Sequence, residues 1–505
     1  MARACPVSGL KAAIPVLVKG SAETARALYR GQFSFAGVTA EAGGASVFAL
    51  PAPSQGWSDA MHGFEWLGHL AAQQGGLERA FARNLVMDWL ACRRAGSSSR
   101  NVVARRLINS MKHAGFLVEG AGSAFERAFH GMLECDAERL LRAGKPGDDL
   151  LPAVALGLAA NALRGADALE APALARLERA LEHSVLPDGT HISRAPAQHL
   201  GVLLDLLPLR LAMGARRSPI PQTINAAIER MIPMLRFFAL GDGGLALFHG
   251  ASQPMTAEVK AVLDQDTSFA RPLGIARYGK YARLAHGRVS LVMDCGVGGA
   301  SESAMAFEMS DGVHRLIVNC GSPANPSAAW ALSASCSAAH STVEFLDARP
   351  TAMGEGLHAA SETGSMAGAA RTFGALSHGR DVFLASDGGD LRGEDRFSFE
   401  GGARDTAFAI RFHLHPSVKA TLARDASSVM LQLPDKAGWR FSARGAAMAL
   451  EESVYLGSAS GPRKTEQIVI RGNAAFIPHV KWALRRIEKR EKTDAKKSDN
   501  PRLPF

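Results

Sequence analysis

Twelve residues in the middle of the chain, Asp188-Gly-Thr-His-Ile-Ser-Arg-Ala-Pro-Ala-Gln-His199, bring together His191, Arg194, Gln198 and His199 at a break between two helical patterns. Arginine holds a planar carboxylate through two parallel hydrogen bonds, and histidine moves a proton near neutral pH. That pairing suits an anionic substrate, and loops on a rigid scaffold are where such groups gather. The alternative is a polar helix-to-helix turn with capping residues. A second group lies far downstream, where Phe408, Ile410, Phe412 and Leu414 alternate with Ala409, Arg411, His413 and His415. Period two sets Arg411, His413 and His415 on one face of a strand, where they line a groove or hold a sheet edge.

These residues need a scaffold, and the chain has room for one. It has 505 residues, enough for two or three domains. A formal net charge of +9 favours acidic partners: nucleic acid, anionic lipid or acidic polysaccharide. Part of the charge sits in a terminal run from Lys481 to Lys497, a pattern usual for a solvated segment. The six cysteines show no CxxC spacing, so neither a zinc finger nor a dense disulfide framework is indicated. The first residues lack an apolar signal core with a cleavage site, and no run reaches membrane-spanning length without charges.

Two periodicities divide the chain. Helical spacing predicts helices over 77–96, 101–118, 123–144, 149–166, 171–186, 195–216 and 221–240. Leu174, Leu177, Leu181 and Val185 mark one helical face, and Ile224, Ile228, Met231 and Leu235 another, with Pro233 expected to kink the latter. Ser123 with Glu126 has capping-box form, and Gly144 or Gly165 suits a helix C-terminus. After Phe238 the turn cluster Gly241-Asp-Gly-Gly244 opens a region of short strands. A hairpin is expected around Asp311-Gly312, flanked by 304–310 and 313–320. Antiparallel helices followed by many short strands predict an α+β multidomain chain, with a helical bundle, solenoid or toroid first and an antiparallel β-sandwich second.

Ordered blocks over residues 60–487 give the chain a resemblance to the heparinase II/III-like family. They run from Asn101-Val-Val-Ala-Arg-Arg-Leu-Ile through Leu186-Pro-Asp-Gly-Thr-His-Ile-Ser-Arg, Phe307-Glu-Met-Ser-Asp-Gly and Ile317-Val-Asn-Cys-Gly. Ala339-His-Ser-Thr-Val, Leu391-Arg-Gly-Glu-Asp, Arg411-Phe-His-Leu-His-Pro-Ser-Val, Glu452-Ser-Val-Tyr and Thr465-Glu-Gln-Ile-Val complete the series. The resemblance implies an α/α toroid followed by a C-terminal antiparallel β-sandwich. The expected division is a lead segment 1–55, a helical domain 56–240, a sandwich 241–487 and a basic tail 488–505.

The resemblance also implies a carbon–oxygen lyase that cleaves uronic-acid-containing glycans by β-elimination in a groove between the two domains. Such a site neutralises the uronate carboxylate, removes the proton on the α-carbon and protonates the departing oxygen. On this reading His191, Arg194, His413 and Glu302 are the catalytic candidates, and Gln198, His199, Asn161, Arg411 and His415 the substrate-binding ones. The family usually carries a tyrosine where Gln198 stands, and a catalytic histidine where this chain has Ala300-Ser-Glu-Ser303. Tyr278, Tyr281 and Tyr455 are the sandwich tyrosines that could substitute, and His378 joins His413 as a strand histidine of either role. Some relatives hold a structural zinc; only His340 among its ligand positions is retained, with Asn319-Cys320 in place of a carboxylate.

The leading expectation is therefore a lyase with an acidic polysaccharide as partner. A catalytically degenerate member that binds such a glycan is the alternative. A nucleic-acid or membrane-surface protein lacks a recognisable motif. The resemblance places the chain in the cell envelope or periplasm, while the absence of a visible signal peptide leaves the cytoplasm open.

Overall fold

A computed structural model of the chain describes residues 7–92, 99–142, 150–324, 328–345, 352–353 and 356–487. Gly96, Gly144 and the basic tail 488–505 lie outside them. The architecture is a layered set of antiparallel helices followed by an antiparallel β-sandwich.

The helical region is built around Leu150–Ala162. Apart from Leu151 every residue of this helix is buried, as expected for a helix that is apolar all round. Helices Arg100–Lys112, Ser123–Arg142, Glu170–Ser184 and Pro196–Ala215 pack against it. Glu170–Ser184 buries Leu177 and Leu181, with Val185 buried just beyond its end and Leu174 partly so. Gln222–Phe238 buries Ile224, Ile228, Met231 and Leu235 and runs unbroken across Pro233. Ser123 is the first residue of its helix rather than its cap. Gly165 follows Leu150–Ala162 at φ +87°. The lead segment also holds elements not predicted from the sequence, a capped helix, Ala22–Tyr29, and a hairpin of Gln32–Phe35 with Val38–Glu41.

The sandwich consists of two nine-stranded antiparallel sheets. One sheet runs from Ala447–Tyr455 through Arg463–Asn473, Ala407–Leu414, His314–Val318, Phe307–Asp311 and Val289–Asp294 to Tyr281–His286 and Ile275–Ala276. The other runs from Leu357–Ser361 through Gly364–Phe373, Leu376–Ala385, Asp390–Phe399, His479–Ile487 and Gly438–Arg444 to Ser428–Gln432 and Lys419–Leu422. The expected hairpin is present, turning at Asp311-Gly312 with Gly312 at φ +53°. Between the sheets, Phe412 meets Trp482 at 4.9 Å and Phe307 stacks on the same ring at 5.7 Å.

A polar network crosses this core. Arg380 holds Asp395 through two hydrogen bonds of 2.8 and 3.1 Å, and Trp482 Nε1 donates to the same carboxylate at 3.0 Å. Arg371 Nε donates to His378 Nδ1, so His378 carries its proton on Nε2 and passes it toward Asp395 at 2.8 Å. His378 is thus a core residue; burial holds its pKa down at about 4.

Charged side chains also close the seam between helices and sheets. Arg283 donates to the Phe237 and Ala239 carbonyls at 2.7 and 2.8 Å, satisfying the C-terminal end of Gln222–Phe238. Arg315 reaches Asp242 at 2.8 Å and Glu308 at 3.2 Å.

Truncating Asp395 to alanine strands a buried guanidinium, which costs about 3–5 kcal/mol. Urea unfolding followed by tryptophan fluorescence should show that loss, while Lys464→Ala, which breaks an exposed pair with Glu452, leaves the midpoint unchanged.

Candidate functional site

The helical segment Asp188–His199 meets the sandwich, and its two charged residues both reach across. Asp188 Oδ2 accepts from the Tyr278 and Gly279 amides at 2.7 and 2.9 Å, while Oδ1 accepts from Thr190 at 3.1 Å. Arg194 donates to the Gly279 carbonyl at 2.9 Å and to the Gly298 carbonyl at 2.8 Å. Its remaining nitrogen pairs with Asp294. Tyr281 closes the circuit, donating its hydroxyl to the Arg194 carbonyl at 2.8 Å with its ring 5.1 Å from the guanidinium.

Asp294 is the focus. Besides Arg194, its carboxylate accepts from Ser303 Oγ at 2.6 Å and from the Gly296 amide at 2.9 Å, and His249 Nε2 lies 3.3 Å away. Ser301 Oγ sits 3.3 Å from the other His249 nitrogen. Burial pushes the Asp294 carboxyl up, but Arg194, His249 and Ser303 outweigh it and hold it below the usual carboxylate range.

Four non-glycine residues with left-handed backbone surround this carboxylate. Arg194 (φ +59°) and His249 (φ +50°) approach its oxygens, Met305 (φ +62°) donates its amide to the Asp294 carbonyl, and Lys280 (φ +57°) accepts from the next amide, Cys295. Each such residue costs of order 1–3 kcal/mol and persists where surrounding contacts over-determine it, a pattern found at functional sites. The Gly296-Val-Gly-Gly299 loop fits over the cluster because Gly296 and Gly299 lack side chains. A Cβ on Gly296 would lie 2.5 Å from the Arg194 guanidinium carbon, and one on Gly299 2.6 Å from the His249 ring.

Two depressions flank this centre. One of about 480 Å³ is lined by Asn101, Arg105, His183, His191, Gln198 and Asp205, among others. His191 Nδ1 accepts from the Ser193 amide at 3.2 Å and lies 2.8 Å from its hydroxyl, which leaves the imidazole proton on Nε2. Burial lowers the His191 pKa to about 4, so the ring is neutral above that pH. Asp205 is held by Arg105 at 2.8 Å and Lys112 at 2.9 Å. The second depression, about 260 Å³, is lined by the 296–302 loop, Ala304 and Ser335, with Glu302 on its wall.

The fold therefore brings His191 and Gln198 to one depression, lined by the helical region alone, and Glu302 to the other, while Arg194 is committed to Asp294. Other expected site residues lie elsewhere. His199 donates Nε2–H to the Met231 carbonyl at 2.9 Å inside the helical core. Asn161 is buried in its helix, its carbonyl held by Arg216. Arg411 is paired with Glu344 at 2.6 Å on the outer side of its sheet. His413 spans Ser453 Oγ at 2.8 Å and the Ala338 carbonyl at 3.0 Å, and burial drives its pKa to about 3. His415 bonds Ser417 at 2.7 Å and packs on Tyr455.

Sequence reasoning missed His249 and Asp294. The signal for Asp294 was a carboxylate ending an apolar strand, Val289-Ser-Leu-Val-Met-Asp294, immediately before a glycine-rich loop. His249 carries no comparable mark. At the position considered for zinc, His340 Nδ1 donates to the Cys336 carbonyl at 2.8 Å, and the Asn319 side chain is used by Leu247 and Ser341. Among the described residues no three histidine, cysteine or carboxylate side chains converge on a point that could hold a metal ion.

Because the folded Asp294 pKa lies below its unfolded value near 3.9, its stabilisation is complete above that value and is lost as pH falls through the folded pKa. Asp294→Asn should lower stability at pH 7 by about 3–5 kcal/mol and flatten the acid limb of a Tm-against-pH profile. An unchanged acid limb would show that the pair does not hold the seam.

Similarity to known proteins agrees with this architecture. Residues 270–483 match the description "Heparinase II/III-like, C-terminal". Over 96% of the chain and 87% of the other, the fold superposes on heparinase III at TM-score 0.78 with 10% identity. It superposes on the heparan sulfate lyase HepC from Pedobacter heparinus at TM-score 0.63 and 14% identity, over 93% of this chain and 83% of that one. In sequence, the FtsZ-localized protein C of Caulobacter vibrioides (strain NA1000 / CB15N) is 31% identical over 487 residues, covering 87% of this chain and 84% of the relative. With its helical region, its sandwich and this full-length relative, the chain belongs to the heparinase II/III-like family.

Proposed function

We propose that the groove beside Asp188–His199 holds an acidic polysaccharide without cleaving it. The observation that carries this reading is how the proton-moving groups are occupied. Gln198, at the lip of the larger depression, cannot exchange a proton. His191 spends Nδ1 on Ser193 and offers only an N–H donor. Arg194, the cation best placed to meet a uronate, is consumed by Asp294. Tyr281, the buried tyrosine at the seam, gives its hydroxyl to a backbone carbonyl, and burial raises its pKa well above the ordinary value. What remains to line the depression is a set of neutral donors, the exposed Asn101 and Gln198 and the buried His191, beside Arg105. Such a set recognises sugar hydroxyls and carboxylates.

A second reading, β-elimination, is favoured by the His249–Asp294 pair beneath the glycine-rich loop. In it, movement of residues 296–299 uncovers His249 as the base that takes the α-proton, and the imidazolium so formed returns that proton to the leaving oxygen.

One experiment separates the two. Purified protein is incubated with heparan sulfate, hyaluronan, alginate and polygalacturonate, and the ultraviolet band of the unsaturated uronate is followed beside a binding isotherm. Binding to a member of the panel that weakens tenfold or more in His191→Ala/Asn101→Ala, with no absorbance rise, is the expected result. An absorbance rise that His249→Ala abolishes establishes the lyase instead.

The name of the Caulobacter relative also supports proposing that this chain gathers where FtsZ does. A fluorescent fusion followed through the division cycle tests that placement, and uniform fluorescence overturns it.

A further inference from the structure

The outer face of the second sheet carries a depression of about 430 Å³, far in sequence from the groove. Strand register shows how it is made. Ser442 pairs with Ala483, Ala483 with Arg392, Arg392 with Phe383, and Phe383 with Met366, forming one row across five strands. Short side chains at Ser442 and Ala483 make the trough, and the exposed Arg392, paired with Asp390 at 2.6 Å, stands next in the row. The rows on either side are long and cationic: Arg444 pairs with Lys481, and Arg440 with Arg485. Neighbouring strands lie about 4.8 Å apart, so each wall sets two positive charges at that step, and the next strand adds a carboxylate to each, Glu394 beside Lys481 and Asp390 beside Arg485.

Lys481 and Arg485 are drawn to Glu394 and Asp390 at 3.7 and 3.3 Å, so Arg440 and Arg444 are the wall cations that carry the attraction. Two carboxylates line the depression, Asp381 and Glu394, and both are drawn to Arg396 beyond it, at 2.6 and 3.5 Å. No described carboxylate forms a salt bridge with Arg440 or Arg444, and both are exposed. At one end of the trough the half-buried Phe383 and Met366 supply an apolar floor.

We propose that this trough is a second binding site, for an extended run of a polyanionic glycan. The proposal rests on the reading that the chain's ligand is an acidic polysaccharide. A single linear chain fits a recess one residue row wide. Its carboxylates or sulfates meet the arginine and lysine walls, and the apolar face of a sugar ring packs on Phe383. A lipid surface would instead require these cations to project from a flat or convex face, with apolar residues outermost. Here the cations wall a recess and the apolar residues lie at its floor. Two sites on one chain raise avidity for a long polymer without any new contact in either.

The test uses the full chain and fluorescently labelled heparin and polygalacturonate as probes, titrated at low and physiological salt. Arg440→Ser/Arg444→Ser should weaken binding of at least one polymer tenfold or more and make its salt dependence shallower, whereas Lys19→Ser/Lys260→Ser, which removes the same charge elsewhere, should not. Affinity for both polymers within twofold of the unmodified protein overturns the proposal. So does a loss confined to vesicles of phosphatidylglycerol in phosphatidylcholine, which would make the face a lipid site. The groove variant His191→Ala/Asn101→Ala is measured in parallel. If it binds normally while the arginine variant does not, the groove reading fails and the trough stands.

Discussion

The ion pair between Arg194 and Asp294 ties the two halves of this molecule together. Each partner comes from a different half, both are buried, and every donor of the guanidinium has an acceptor in the sandwich. Buried charges are costly to desolvate, so such a pair is stable only when the surrounding polar groups complete it. Ser303, the Gly296 amide and His249 do that for the carboxylate, and the Gly279 and Gly298 carbonyls for the guanidinium. The demand explains the local backbone. Left-handed φ values fall at Arg194 and His249, whose side chains approach the carboxylate, and at Lys280 and Met305, whose peptide groups hold the backbone of Cys295 and Asp294.

The same pair decides what the groove can do. A guanidinium used to close the seam is not free to neutralise a uronate, and a buried, paired Asp294 is a poor base because its proton affinity is held down. His191, buried in the wall of the depression, is neutral and offers an N–H. A site equipped in this way discriminates by hydrogen bonding while contributing little charge. Attraction for a polyanion must then come from elsewhere on a protein whose net charge is +9.

Much of the fold was readable because it follows from periodicity. The apolar face of Glu170–Ser184, the alternation along Ala407–Leu414 and the Asp311-Gly312 turn each encode one element locally. The site was less readable, and for a physical reason. Arg194 and His191 looked alike in sequence, since both are polar residues in one loop, but the fold turns Arg194, with its left-handed backbone, into the seam and leaves His191 lining the depression. Arg411 and His413 share a strand face as alternation requires, yet that face is covered by Glu344 and by the segment carrying Ala338. Which face of a strand meets solvent is a tertiary fact. The missed His249 belongs to the same class, because nothing near it in sequence marks the carboxylate it approaches 45 residues later.

The glycine loop at 296–299 shows why the seam and the groove cannot vary independently. Any side chain at Gly296 meets Arg194, and any at Gly299 meets His249. Substitution there would therefore displace the guanidinium or the imidazole rather than merely reshape the loop. Displacing either leaves Asp294 short of a partner inside a dry seam, where an unpaired carboxylate is least tolerated. A route from this arrangement to an open catalytic site would have to move the loop and re-partner Asp294 in one step. That coupling is the physical argument for treating the centre as a clasp first, and for looking to the neutral donors of the groove and the arginine-walled trough for ligand recognition.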